Sequence, residues 1–167
     1  QADRNYIPLD EGRRKARLEV EKALELDPNL AEAHAALGRM RRLYDWDWTG
    51  ADAAYKRALE LGPGDAAVVR GLAGQAATLG RFAEALRLGR RAVEIDPLNV
   101  AAHHALGFYA WRAGRLDEAE AALRKAIELH PEHPSAHQLL GRIHLARSNP
   151  EAALQEMERE KEPSWRR

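Results

Sequence analysis

Cysteine is absent from the 167 residues, which excludes disulfides, thiol nucleophiles and cysteine-ligated zinc and leaves the redox compartment undetermined. Net charge is absent as well. Lys plus Arg and Asp plus Glu each total 26, so there is no global basic excess of the kind a dedicated nucleic-acid binder carries, and no nucleic-acid partner is expected through this region. No run of about 18 apolar residues and no signal-peptide core occurs, so no membrane insertion is expected. Also missing are a glycine-rich phosphate loop after a strand, a nucleophile elbow and paired inward-facing carboxylates, so the chain does not read as an enzyme and no cofactor is implied. What remains, 45% hydrophobic and 31% charged residues, is the composition of a folded soluble protein. The chain starts at Gln1 with no initiator methionine and reads as a fragment or processed form. The compartment stays undetermined, with the cytoplasm favoured.

The stretch from Asp96 to Pro131 shows how the chain is built. Pro97 and Pro131 stand 34 residues apart, with Gly114 between them where a first helix should stop. Two helices of about 13 residues fit. In the first, Ala102, Leu106, Tyr109 and Ala110 recur at the three-and-four spacing of a helical face. Leu116, Ala119, Leu123, Ala126 and Ile127 do so in the second. Asn99 is placed to cap the first helix through its side-chain oxygen, and Gly114 suits a turn that requires positive φ. Neither helix can bury its apolar stripe alone, so the hairpin needs neighbours.

Those neighbours recur at a fixed period. Pro28, Pro63, Pro97 and Pro131 are separated by 35, 34 and 34 residues. Between them the same columns return: Leu37, Leu72, Leu106 and Leu140; Gly38, Ala73, Gly107 and Gly141; Ala51, Ala85, Ala119 and Ala153; Ala23, Ala58, Ala92 and Ala126. Small residues in three of the four columns let helix backbones approach closely, while the leucines fill the space beside them. This pattern resembles the tetratricopeptide repeat over roughly residues 13 to 165. The resemblance implies an all-α fold, a right-handed superhelical solenoid of antiparallel helix pairs. Residues 1–9 then form a linker or tail, and 10–167 a single array. The array would comprise a half repeat over 10–28, full repeats over 31–63, 66–97, 100–131 and 134–162, and the start of a further repeat over 163–167.

Within that frame Asp10 is expected to cap a helix running to about Leu26, with Ala16, Val20 and Ala23 on one face. The first full repeat carries one residue more at its turn, Tyr44-Asp45-Trp46-Asp47-Trp48-Thr49-Gly50, where later units have Gly80, Gly114 and Ser148. Trp48 is expected to fill the core slot of Phe82 and Leu116 while Trp46 covers the joint; the alternative gives Trp46 to a contact with another domain. The DWDW stretch with Ala51, Tyr55, Ala58 and Leu59 is also similar to repeat arrays of bacterial regulatory and signalling chains, which implies context rather than chemistry. The second repeat opens at Asp65, a sound cap, but Gly71, Gly74 and Gly89 lie inside its helices. At about 1 kcal/mol each relative to alanine, these glycines mark it as the softest hairpin. Gly89 replaces Tyr55, Leu123 and Met157 of the other units, leaving a void or inviting a neighbouring side chain. In the fourth repeat Pro134 and Pro150 begin the two helices, whereas Glu160 replaces the usual alanine, and Pro163 closes the unit early, before Trp165.

Family resemblance also places the functional surface. First helices of successive tetratricopeptide units line a concave groove that receives peptides. On this sequence that groove takes Arg39, Arg42, Arg70, Thr78, His104, Phe108, Trp111, Arg112, Gln138 and Arg142, with Glu32 the one acidic exception. A neutral chain would thus carry a basic, partly aromatic groove suited to an acidic or mixed peptide, since arginine binds carboxylates bidentately and stacks on rings. The competing reading leaves these arginines as the solvated face of alanine-rich helices. The family's two-carboxylate clamp for chaperone C-termini needs lysine and asparagine, and Ala35 and Arg39 stand at the corresponding first-unit positions. Metal binding by His133 and His137 is disfavoured because His137 shares a column with His34 and His103, used for packing between a repeat's two helices. The sequence therefore reads as a non-catalytic scaffold for a protein or peptide partner, with self-association through the array ends as the alternative.

Overall fold

The computed structural model describes residues 9–131, 133 and 135–159. The expectations for residues 1–8, Pro134, Glu160, Pro163 and Trp165 lie outside them. Among the described residues the chain is α-helical without a strand. Its elements are α1 (Leu9–Leu26), α2 (Ala31–Met40), a π-helical turn (Arg41–Asp45), α3 (Trp48–Leu61), α4 (Ala66–Thr78), α5 (Phe82–Ile95), α6 (Val100–Arg112), α7 (Leu116–Leu129), α8 (Ala136–Ala146) and α9 (Pro150–Arg159). They fall into two compact units, Gln1–Gln75 and Ala76–Arg167, with the division inside α4. In the first unit α1 packs on α2, and α2 pairs with α3. In the second, α6 pairs with α7 and α8 with α9, while α5 lies against α6 and α7 against α8.

The caps are where local chemistry calls for them. The Asn99 side chain accepts from the Ala102 amide at 3.0 Å, Asp65 from Ala67 at 2.7 Å and Val68 at 3.2 Å, and Asn149 from Ala152 at 3.1 Å ahead of Pro150. Each satisfies amides that the first helical turn leaves without partners. Asp47 does the same for α3, accepting from Gly50 at 2.8 Å. Helix α1 starts at Leu9, so Asp10 lies in its first turn rather than at its cap. Of the face expected there, Val20 and Ala23 are half-buried but Ala16 is exposed.

The small-residue columns form the floor of the core. Ala51, Ala85, Ala119, Ala58, Ala92 and Ala126 are fully enclosed. The glycine column faces the larger column of the partner helix. A methyl added at Gly38 would lie 2.9 Å from the Tyr55 ring, one at Gly107 2.6 Å from Leu123 Cγ, and one at Gly141 3.1 Å from Met157 Cγ. At Gly89 the missing side chain is replaced by Tyr109 of α6, whose ring carbon would be 3.1 Å from an added methyl. The glycines of the second repeat are therefore covered rather than left as voids.

Turns show the clearest departure from the sequence-based expectation. Gly80 (φ 73°), Gly114 (φ 73°), Ser148 (φ 57°) and Trp46 (φ 58°) all adopt the left-handed conformation. These four positions are 34 residues apart. In the later units a wrap-around bond closes the turn: Arg81 N to Ala76 O, Arg115 N to Ala110 O and Asn149 N to His144 O. In the first it runs from Asp47 N to Arg41 O, spanning one residue more. The extra residue is absorbed as the π-helical turn, a common way for a helix to take in a single insertion. Phase is then restored, which leaves a tryptophan in the glycine column. Held there, Trp46 projects 73% exposed and Trp48 45% exposed, their ring centroids 6.5 Å apart. Trp48 thus does not fill a closed core slot, as expected from Phe82 and Leu116, which are half-buried.

Histidines take two roles. The Nε2–H groups of His34 and His103 donate to the Pro28 and Pro97 carbonyls, each at 2.9 Å, and so latch the start of a helix to the loop before it rather than packing between helices. His137 does bridge its hairpin, with Nδ1 2.7 Å from Glu156 Oε2.

Candidate functional site

In the first unit three of the ten residues expected to line a groove bear on one side chain. Tyr55 of α3 is 2% exposed, its ring inserted between Gly38 of α2 and Gly71 of α4. The charges of Arg42, Arg39 and Arg70 all reach its phenol. Burial pushes the Tyr55 phenol above its ordinary range, and the three arginines pull in the opposite direction. The Arg42 guanidinium lies 6.0 Å from the Tyr55 ring centroid. It rests on α4 where Gly74 has no side chain: a methyl there would be 2.3 Å from Arg42 Nη1. Gly71 and Gly74, one helical turn apart, thus seat Tyr55 and Arg42 side by side next to Arg70.

None of these arginines has a carboxylate within ion-pair distance among the described residues. The Nε atoms of Arg42 and Arg70 are shut off from solvent without an acceptor. Their neighbours differ. Arg17 pairs with Asp45 at 2.5 Å, Arg57 with Glu60 at 3.1 Å and Arg41 with Asp47 at 3.8 Å. The unpaired state of Arg39, Arg42 and Arg70 is therefore local, not a general habit of this surface.

In the second unit four of the remaining residues expected there form a stack of rings and guanidinium groups. Phe108 and Trp111 lie 6.0 Å apart. Arg142 of α8 sits 6.0 Å from the Trp111 ring centroid, and Arg112 lies 5.9 Å from Trp111 and 4.6 Å from Phe82. Such cation–π contacts hold an arginine's plane flat while leaving its edge donors available. Elsewhere in this unit arginines meet carboxylates: both Arg90 donors reach Glu118 at 2.6 Å, and Arg147 bridges Asp117 and Glu120.

The structure separates His104 from this cluster. Its ring stacks on His133 at 4.7 Å, and burial first, then His133, hold its pKa below the usual histidine range. Thr78 and Gln138 are exposed on α4 and α8. His133, turned to His104 and His130, does not join His137; among the described residues no group of three His, Asp or Glu side chains could hold a metal ion. Two residues of these clusters, Tyr55 and Phe82, are legible in sequence only as packing positions. The signal for Tyr55 was its size, an aromatic among Gly89, Leu123 and Met157, combined with Gly71 and Gly74 on the facing helix.

The family model of the tetratricopeptide repeat matches residues 40–100 and 104–165. No curated protein matches the chain. Among solved structures, MamA is 20% identical, with 93% of this chain and 94% of that one aligned at a TM-score of 0.76. YrrB, a TPR protein with an unusual peptide-binding site, is 26% identical over 89% and 76% of the two chains at a TM-score of 0.72. The first TPR of Spaghetti (RPAP3), bound to the HSP90 peptide SRMEEVD, is 20% identical over 73% and 96% at a TM-score of 0.68. These likenesses show the fold, a solenoid of antiparallel helix pairs. Since the repeat model covers more than half of the sequence and most positions of its columns are buried, this chain belongs to the tetratricopeptide-repeat family.

Proposed function

We propose that the chain is a non-catalytic scaffold that holds an acidic peptide segment of a partner protein against its first-helix faces. A protein-interaction role follows from the family; the acidic peptide and its place are our reading. One observation carries it: the Arg42 guanidinium lies beside the Tyr55 ring against Gly74, and Arg39, Arg42 and Arg70 have no carboxylate within ion-pair distance among the described residues, although Arg17, Arg41 and Arg57 near them do. Unpaired guanidinium groups held in place by glycines and a ring are preorganised for a carboxylate supplied from outside. In the second unit Trp111 and Phe108, flanked by Arg112 and Arg142, offer the aromatic area on which binding energy concentrates. YrrB, which has a peptide-binding site, supports the same use of the fold.

The test is capture of acidic, basic and neutral peptides by the chain, beside a variant with Arg70, Arg112 and Arg142 changed to alanine. Salt-sensitive capture of acidic peptides, lost in the variant, is expected. Indifference to peptide charge would refute the reading. A second reading, self-association, is favoured by Leu145, Leu154 and Met157, which leave apolar surface exposed on the last hairpin. It predicts a mass that rises with concentration in light scattering, and a strict monomer at high concentration refutes it.

A further inference from the structure

Around Tyr55 the donors outnumber what one carboxylate can accept. Arg39, Arg42 and Arg70 together present three guanidinium groups, each a planar fork of N–H donors. The Tyr55 hydroxyl adds a fourth donor group. Two of the arginine Nε–H groups are buried without an acceptor. Among the described residues no carboxylate lies within ion-pair distance of the three arginines. A carboxylate brings two oxygens and one charge, which a single bidentate arginine already engages. It would leave two guanidinium groups uncompensated in a partly desolvated place.

A phosphoryl group fits the inventory better. It brings three terminal oxygens and a charge of about −1.5 to −2 at neutral pH, so it can engage two forks bidentately and still accept from a third donor. The cluster is also built in advance. Gly74 admits the Arg42 guanidinium to the surface of α4, and Gly71 admits the Tyr55 ring beside it. Substituting either glycine would push a donor away.

We propose that the Arg39–Arg42–Arg70 cluster over Tyr55 is a receptor for a phosphorylated side chain on the partner segment. The proposal rests on the acidic-peptide reading above and narrows it: recognition at this unit is switched on by phosphorylation of the partner. Arg42 from the π-helical turn and Arg70 from α4 hold the phosphoryl oxygens, the Tyr55 hydroxyl adds a donor, and the exposed Arg39 supplies the third guanidinium.

The test uses three fluorescein-labelled peptide libraries with degenerate flanks, carrying a fixed phosphoserine, glutamate or serine, and measures binding to the chain by polarisation. The phosphoserine library is expected to bind at least about tenfold more tightly than the glutamate library, with serine weaker still. Arg42→Lys keeps the charge but removes the fork and should cost about tenfold for phosphoserine and little for glutamate. Arg39→Ala, at an exposed position, should weaken phosphoserine binding without lowering the melting temperature. Equal binding of phosphoserine and glutamate would overturn the phosphoryl assignment while leaving the acidic-peptide reading intact. Failure of both libraries would overturn both. Phosphoserine binding unaffected by Arg42→Lys and Arg39→Ala would place the site elsewhere, and displacement by equimolar inorganic phosphate would make the bare anion, not a peptide, the ligand.

Discussion

Gly71→Ala separates two ways of reading a glycine. By helix propensity alone the change should stabilise α4 by about 1 kcal/mol. The packing says otherwise. A methyl group at Gly71 would lie 2.4 Å from Tyr55 Cε1, 3.1 Å from Cδ1 and 3.2 Å from Cζ, whereas carbon atoms pack at about 3.5–4.0 Å. The ring would have to retreat by about 1 Å, and behind it stands Gly38, where a methyl would be 2.9 Å from the same ring. Overpacking of this kind costs about 1–3 kcal/mol. Set against the propensity gain, the net loss is expected to reach up to about 2 kcal/mol. For a chain of this size that corresponds to a fall in melting temperature of up to about 8 °C, read by circular dichroism. A variant melting above the parent would refute the argument. A double-mutant cycle checks the cause: in a Tyr55→Leu background, which removes the ring, Gly71→Ala should become less costly by about 1 kcal/mol. Equal cost in both backgrounds would show that the tyrosine is not what the glycine accommodates.

Gly114→Ala should lose about 1–2 kcal/mol in urea unfolding, all of it from the left-handed backbone, because an added methyl there meets nothing within 4 Å. Ala119→Leu should cost about 1–3 kcal/mol, since the alanine is fully enclosed in its hairpin; unchanged melting would show the column to be misassigned. His104 is held neutral in the fold, its pKa lowered by burial and by His133, so the stability it contributes is fully present above the unfolded value of about 6.5 and is lost as pH falls below it. The urea midpoint should therefore drop between about pH 7 and pH 5, and His104→Gln should blunt that drop. Arg90→Lys, which breaks the fork on Glu118, should cost no more than about 1 kcal/mol and progressively less as salt rises.

Much of the fold could be read from short-range rules. Helix boundaries followed from caps such as Asn99 and Asp65, because a side chain three residues away is the group that can satisfy a first-turn amide. Positive φ at Gly114 followed from the turn that must reverse the chain. Burial of the alanine columns followed from the 34-residue period, since only contacts repeated in every unit force small residues to recur at one register. Histidine was harder. The shared column of His34, His103 and His137 was visible, but two of these rings turn to a proline carbonyl and one to Glu156, according to which acceptor its own surroundings supply.

Sequence by itself determined the repeat, its helices and the glycine turns of the later units, consequences of the 34-residue period, helical periodicity and capping. Tertiary structure alone decided the rest. It placed the inserted residue of the first unit in a π-helical turn and so put Trp46, rather than glycine, in the left-handed position. It set the Arg42 guanidinium beside the Tyr55 ring, and among the described residues it left Arg39, Arg42 and Arg70 without the carboxylates their neighbours have found. Spacing along a helix says which way a side chain points. What it meets there is set by the neighbouring helix, here by Gly71 and Gly74 of α4, which open the space that Tyr55 and Arg42 occupy.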